Sequence, residues 1–271
     1  MDLKRILTSL IGFPLVVLVI VFGNASVISF AIMLVAIICM YEYFHVISKI
    51  CKPIKWVGYV STIIIFLVSI LSAEIIKNIL LFSIPVIILI LFLHIILTDM
   101  KVTFKDVAYT FLGIAYITGF IMFLSLIVTS QSGKLMLGFN LILAWATDVF
   151  AYTAGKYLGK HHFSKVSPKK TVEGCIAGII GAIIVGIIYM IIANNVGAVN
   201  INGIAYIYLG IIILVLSIIS QIGDFTASSI KRFADAKDYG NMLPGHGGML
   251  DRIDSVIFIA PFIYMIMNFI M

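Results

Sequence analysis

Residues 78–97 read NILLFSIPVIILILFLHIIL, twenty residues without one Asp, Glu, Lys or Arg. About 20 apolar residues in helical form cross the hydrocarbon core of a bilayer, where a backbone must satisfy its own hydrogen bonds. The stretch at 176–193, IAGIIGAIIVGIIYMIIA, has the same character. Of 271 residues, 62% are hydrophobic and 11% are charged, and mean hydropathy is +1.20. The chain therefore reads as an all-α, polytopic integral membrane bundle with no separate soluble domain.

About nine spans are expected, at roughly 6–23, 25–44, 58–74, 78–97, 107–128, 137–157, 174–193, 204–224 and 254–271. The basic start and long apolar run of MDLKRILTSLIGFPLVVLVIVFG read as an uncleaved first helix rather than a signal peptide. Placing the N-terminus in the cytoplasm puts 16 of the 18 Lys and Arg residues on one side, with only Lys77 and Lys134 outside. That asymmetry is the positive-inside pattern. It accounts for the net charge of +6 without nucleic acid, and an anionic substrate fits it too. Cys39, Cys51 and Cys175 are odd in number and widely spaced, so they read as reduced thiols without a zinc or disulfide role.

Two regions are expected. Residues 1–135 hold scaffold helices suited to lipid or dimer contacts, and His94 there is read as a packed histidine. Residues 136–271 hold the chemistry, with basic inner loops at about 156–173 and 225–253.

Asp148 and Asp224 lie at or inside spans, where an ionised carboxylate is costly and faces a bundle interior, a water cavity or a metal. A polar pair that fixes helix packing is the plainer alternative. Asp224, Ser228 and Lys231 follow at i, i+4 and i+7 and share a face if the helix continues, with Arg232 adjoining. Asp251, Asp254 and Ser255 sit at i, i+3 and i+4, and Asp251 and Arg252 stand where the last span enters the membrane. Carboxylates amid Lys and Arg suggest a metal–phosphate site. Mg²⁺ uses one or two carboxylates and lets substrate phosphates supply further ligands. Glycines such as Gly247 and Gly248 let backbone amides approach phosphate oxygens. In SPKKTVEG, residues 167–174, Lys169 and Lys170 precede an apolar helix, and either a bound anion or lipid headgroups suit them. The HHF at 161–163 reads as a hydrated loop, and His246 as a phosphate contact or an ordering residue in its turn.

SSIKRFADAKDYGNMLPGHGGMLDRID, residues 228–254, resembles the signature of phosphatidate cytidylyltransferases, also called CDP-diacylglycerol synthases. Ser228, Lys231, Arg232, Lys237, Asp238, Gly240, Pro244, His246, Gly247, Gly248, Asp251, Arg252 and Asp254 each fill an element of that pattern. TDVFAYTAGKYLGKH from Thr147 and SPKKTVEG from Ser167 are similar to the family as well. The resemblance implies an integral membrane enzyme that joins CTP to phosphatidate, giving CDP-diacylglycerol and pyrophosphate, and that forms homodimers; a compact chain suits a bacterial inner membrane, and the basic loops put the site on its cytoplasmic face. By similarity, Asp224 and Asp251 hold a catalytic Mg²⁺, with K⁺ as a second cation. Lys231, Arg232, Lys237 and Arg252 would clamp phosphates, and Lys169, Lys170 and Thr171 would grip the nucleotide or the lipid phosphate. Asp148, Glu173, Asp238 and Asp254 would be further ligands or would orient the basic side chains. The rivals are a CTP-dependent polyprenol kinase, a CDP-alcohol phosphotransferase, whose DGxxAR pattern is missing here, and a cation or phosphate transporter.

Overall fold

In a computed structural model the described residues are 3–71, 73–164, 167–168, 170–201, 203–242, 245 and 247–270. Among them the regular elements are all helical: α1 (Leu3–Phe22), α2 (Ala25–Ile47), α3 (Lys55–Leu71), α4 (Ala73–Leu97), α5 (Phe104–Gly113), a π-helical segment (Ile114–Gly119), α6 (Phe120–Thr129), α7 (Gly133–Leu158), α8 (Val172–Asn195), α9 (Ala205–Phe233) and α10 (Leu250–Ile270). Helix therefore occupies every interval expected from hydropathy. Among the described residues, five segments are long and apolar enough to cross a membrane: Ala25–Ile47, Phe104–Thr129, Gly133–Leu158, Val172–Asn195 and Ala205–Phe233.

One end differs from expectation. α9 continues to Phe233 and α10 begins at Leu250, so the second basic loop is shorter than 225–253. Within the polar run after Asp224, Ser228 and Ser229 satisfy their hydroxyls on acceptors one turn back, Asp224 Oδ1 at 3.4 Å and the Phe225 carbonyl at 2.8 Å. The helix stops at Asp235, whose φ of 48° is left-handed.

The chain forms two compact units. The first comprises Met1–Thr129 with Phe233–Arg252, and the second Ser130–Arg232 with Ile253–Met271.

In the first unit, α2 packs on α3, the π segment and α6 through Met40, Tyr43, Phe44 and Ile47, all buried. Gly58 on α3 permits this crossing, since a Cβ there would lie 2.4 Å from the Phe44 ring. Hydroxyls pair across the apolar core: Thr62 with Thr118 at 2.6 Å, Ser69 with Ser125 at 3.1 Å, and Ser125 with Ser29 at 2.8 Å. Such pairs hold helices together where lipid removes the hydrophobic incentive to associate. Asp106 closes a capping box with Thr103 and accepts the Lys52 amide at 2.6 Å, tying the α2–α3 loop to α5.

In the second unit, α8 lies close along α7 through small residues. A Cβ on Gly174 would sit 2.6 Å from the Ala151 carbonyl, and one on Gly178 2.9 Å from that of Thr147. Thr147 also meets Ser217 of α9 at 3.0 Å. Asn140 donates to the Val256 carbonyl of α10 at 3.2 Å.

Candidate active site

The second unit carries an acidic cluster with a basic loop folded onto it. After α7 the chain turns back through Glu173. Its Oε2 accepts the Lys160 and His161 amides at 3.1 and 3.3 Å, and its Oε1 lies 2.6 Å from His161 Nδ1. His162 forms an antiparallel bridge with Thr171. Thr171 is buried and caps α8 by accepting the Gly174 amide at 3.1 Å. The loop thereby sets Phe163 against Phe225 of α9, ring centroids 4.9 Å apart. Lys170 lies 4.3 Å from the centroid of that Phe225 ring and forms an ion pair with Asp224. Both side chains are partly exposed, so the pair is open to solvent and ligand rather than locked in a core.

Asp254, on α10, is buried and stands within electrostatic reach of Asp224, Asp148 and Lys231. Its neighbour Ser255 donates to Asp148 Oδ1 at 3.4 Å. Gly223 is the reason α9 and α10 come so close: a Cβ there would meet the Asp254 carbonyl at 2.7 Å and Phe258 Cβ at 2.8 Å. Asp254 thus feels the carboxylates of Asp224 and Asp148 and the ammonium of Lys231, and Lys170 is paired with Asp224.

The first unit carries the turn that precedes Asp251. Asp251 Oδ2 accepts the amides of Tyr239 at 2.9 Å and Gly248 at 3.1 Å. Gly247 has φ 83°, a left-handed conformation that suits glycine. A Cβ on it would lie 3.4 Å from Asp251 Oδ2 and 3.7 Å from Asp238 Oδ1. Beneath the turn, Glu42 of α2 accepts the Met249 and Leu250 amides at 2.9 and 2.8 Å. The connecting segment is also anchored by Phe233, stacked on Tyr109 with centroids 5.8 Å apart, and by buried Tyr239.

A model of the cytidylyltransferase family matches residues 3–270. The chain belongs to this family. It is 38% identical over 182 residues to a phosphatidate cytidylyltransferase of Bacillus subtilis, an alignment covering 66% of this chain and 65% of that protein. A phosphatidate cytidylyltransferase of Staphylococcus haemolyticus is 31% identical over 262 residues, 95% of each chain. One from Staphylococcus saprophyticus is 38% identical over 173 residues, 64% of this chain and 63% of its own. The chain thus spans just under two thirds of the Bacillus and S. saprophyticus relatives and nearly all of the S. haemolyticus one.

Within this family member, Asp148, Lys170, Asp224, Ser228, Lys231 and Asp254 fall together in the second unit, and Asp238, Gly247, Gly248 and Asp251 in the first. Arg232, Lys237 and Arg252 are exposed. Glu173 organises the loop and Thr171 caps α8. Lys169 and His246 lie outside the described residues. Among the described residues, no three His, Cys, Asp or Glu side chains are grouped closely enough to hold a metal ion unaided. Mg²⁺ needs only one or two protein carboxylates when phosphates complete its shell, so the hard-oxygen donors Asp224 and Asp251 suit it chemically.

Sequence reading missed Glu42, His161 and the Phe225 ring. Glu42 had a signal, since a lone acid inside the apolar run ICMYEYFHVI is an ionisable group within a span. His161 and Phe225 had none, because their partners are fixed only once the loop folds.

Proposed function

We propose that this protein is a phosphatidate cytidylyltransferase that transfers CMP from CTP to phosphatidate, giving CDP-diacylglycerol and pyrophosphate. A phosphatidate oxygen attacks the α-phosphorus of CTP. A new P–O–P linkage forms, the α–β bridge breaks, and pyrophosphate leaves with the electron pair. The attacking phosphate is already ionised at neutral pH, so catalysis rests on positioning and on offsetting charge rather than on a general base.

The observation that carries this reading is the Lys170–Asp224 ion pair. It joins the SPKKTVEG stretch to the helix on which the long family signature begins, which supports reading the two motifs as parts of one site. Ser228, Lys231, Arg232, Lys237 and Arg252 would bind phosphate oxygens, and Asp148, Asp238 and Asp254 would orient the cations. Mg²⁺ on Asp224 and Asp251, with K⁺ as a second cation, would neutralise triphosphate charge and polarise the phosphoryl group.

The same proposal places nine spans in a bacterial cytoplasmic membrane, N-terminus and site facing the cytoplasm, and a homodimer as the working form. Helices in every expected interval and the clustering of 16 basic residues on one side support the spans and their orientation. The test is pyrophosphate release by purified protein with CTP, phosphatidate and Mg²⁺. Turnover with phosphatidate is expected; turnover only with a polyprenol, or none with any lipid acceptor, would overturn the assignment.

A further inference from the structure

Glu42 is 1% exposed and sits inside α2, one of the five helices suited to crossing a membrane. A carboxylate in such a place is expensive unless it is fully engaged. Its two oxygens accept the amides of Met249 and Leu250, the residues at which α10 begins. These are among the amides that a helix start leaves without an intrahelical acceptor, and a negative charge there also meets the positive end of the helix dipole. Glu42 thus caps α10 from a helix about two hundred residues earlier in the chain.

Two glycines of the signature are explained by the same side chain. A Cβ on Gly240 would lie 2.9 Å from Glu42 Oε1, and a Cβ on Gly248 2.6 Å from Glu42 Oε2. A side chain at either position would have to displace the Glu42 carboxylate. Asp251 follows Leu250 directly, and its own carboxylate is held by the Gly248 and Tyr239 amides. The chain of contacts runs from Glu42 to the Gly248–Leu250 backbone and from there to Asp251.

We propose that Glu42 is a positioning residue: from α2 it holds the first turn of α10 and so fixes where Asp251 stands. This rests on reading Asp251 as part of the reaction centre. A glutamine in its place is isosteric but turns an NH2 group toward one of the two amides, donor against donor.

The test uses full-length protein in nanodiscs, with hydrogen–deuterium exchange and steady-state kinetics on Glu42→Gln and Glu42→Asp. Removing an acceptor from a buried amide should raise exchange at Met249 and Leu250 about ten- to a hundred-fold, with peptides from α3 and α5 unchanged. The kcat should fall about ten-fold or more while the KM for phosphatidate stays within about two-fold. Glu42→Asp, which keeps both acceptors on a shorter arm, should recover part of each effect. Unchanged exchange at these amides, faster exchange throughout the first unit, or wild-type kcat with a loosened turn would each overturn the proposal. If Glu42→Gln does not fold, Gly248→Ala presses on Glu42 Oε2 and should give the same local signature; wild-type exchange and kcat in that variant would overturn it equally. If the wild-type protein transfers no CMP to phosphatidate, the functional assignment falls, while exchange at Met249 and Leu250 still decides whether Glu42 holds the turn.

Discussion

Lys170, on the loop that leads into α8, forms an ion pair with Asp224 of α9. The ring of Phe225 sits under the ammonium group, so the lysine is held by a charge and by an aromatic face at once. Removing it would leave Asp224 without this partner and, on the proposed function, take a cation from the site for phosphate. Lys170→Met is expected to lower kcat/KM for CTP about ten- to a hundred-fold, the range for losing one charge-assisted contact. Lys170→Arg should recover part of the loss. Pyrophosphate release across a CTP titration measures both, and wild-type kinetics in Lys170→Met would remove Lys170 from the site.

The loop that delivers Lys170 depends on Glu173. That carboxylate gathers the amides of Lys160 and His161 and the ring of His161. Glu173→Ala should release the turn, so trypsin should cut after Lys160 several times faster in the variant than in wild type. The KM for CTP should rise with it, because the lysine is no longer presented in one place. Unchanged cleavage would mean that other contacts, such as Phe163 on Phe225, order the loop alone.

Much of this arrangement is legible in the sequence. Hydropathy alone places helix in each interval where a span is expected, because lipid permits little else. Spacing places Asp224, Ser228 and Lys231 on one face, and Ser228 does reach Asp224. What escapes is what depends on tertiary approach. Glu42 looks like a stray acid until the turn at Gly248 is laid over it. Gly240 and Gly248 stand in the sequence as elements of the family pattern, and the space a Cβ would take at each is filled by Glu42. The extension of α9 escapes because hydropathy tracks lipid burial, and a polar helix that leaves the bilayer looks like a loop.

The approach of α8 to α7 makes a graded prediction about glycine. A Cβ on Gly174 would press on the Ala151 carbonyl at 2.6 Å and on Gly155 Cα at 3.0 Å, and neither backbone can swing aside. Gly174→Ala should therefore cost ~1–3 kcal/mol, the range for overpacking a close contact. Gly210→Ala is the control, since its nearest neighbour is Ile187 Cδ1 at 4.0 Å. Alanine there should be neutral or stabilise by up to ~1 kcal/mol through helix propensity. Thermal unfolding in detergent should separate the two, and equal midpoints would show that α7 and α8 can part without loss.

Orientation can be tested with the protein's own thiols as background. Cys39 is buried, and burial pushes the Cys51 thiol up to about 11, so it stays protonated and slow toward maleimides at neutral pH. Replacing Cys175 with alanine leaves a quiet chain for single added cysteines. Ser132→Cys, beside the start of α7, and Lys237→Cys, on the exposed segment after α9, should then fall on opposite sides of the membrane. An impermeant maleimide should label Ser132→Cys in intact cells and label Lys237→Cys only after permeabilisation. The reverse pattern would place the basic segments outside, against the positive-inside rule, and would put the proposed CTP site away from the cytoplasmic nucleotide pool. Labelling of both positions from the same side would mean that an odd number of the three helices between Ser132 and Lys237, α7, α8 and α9, fails to span, which would break the nine-span reading.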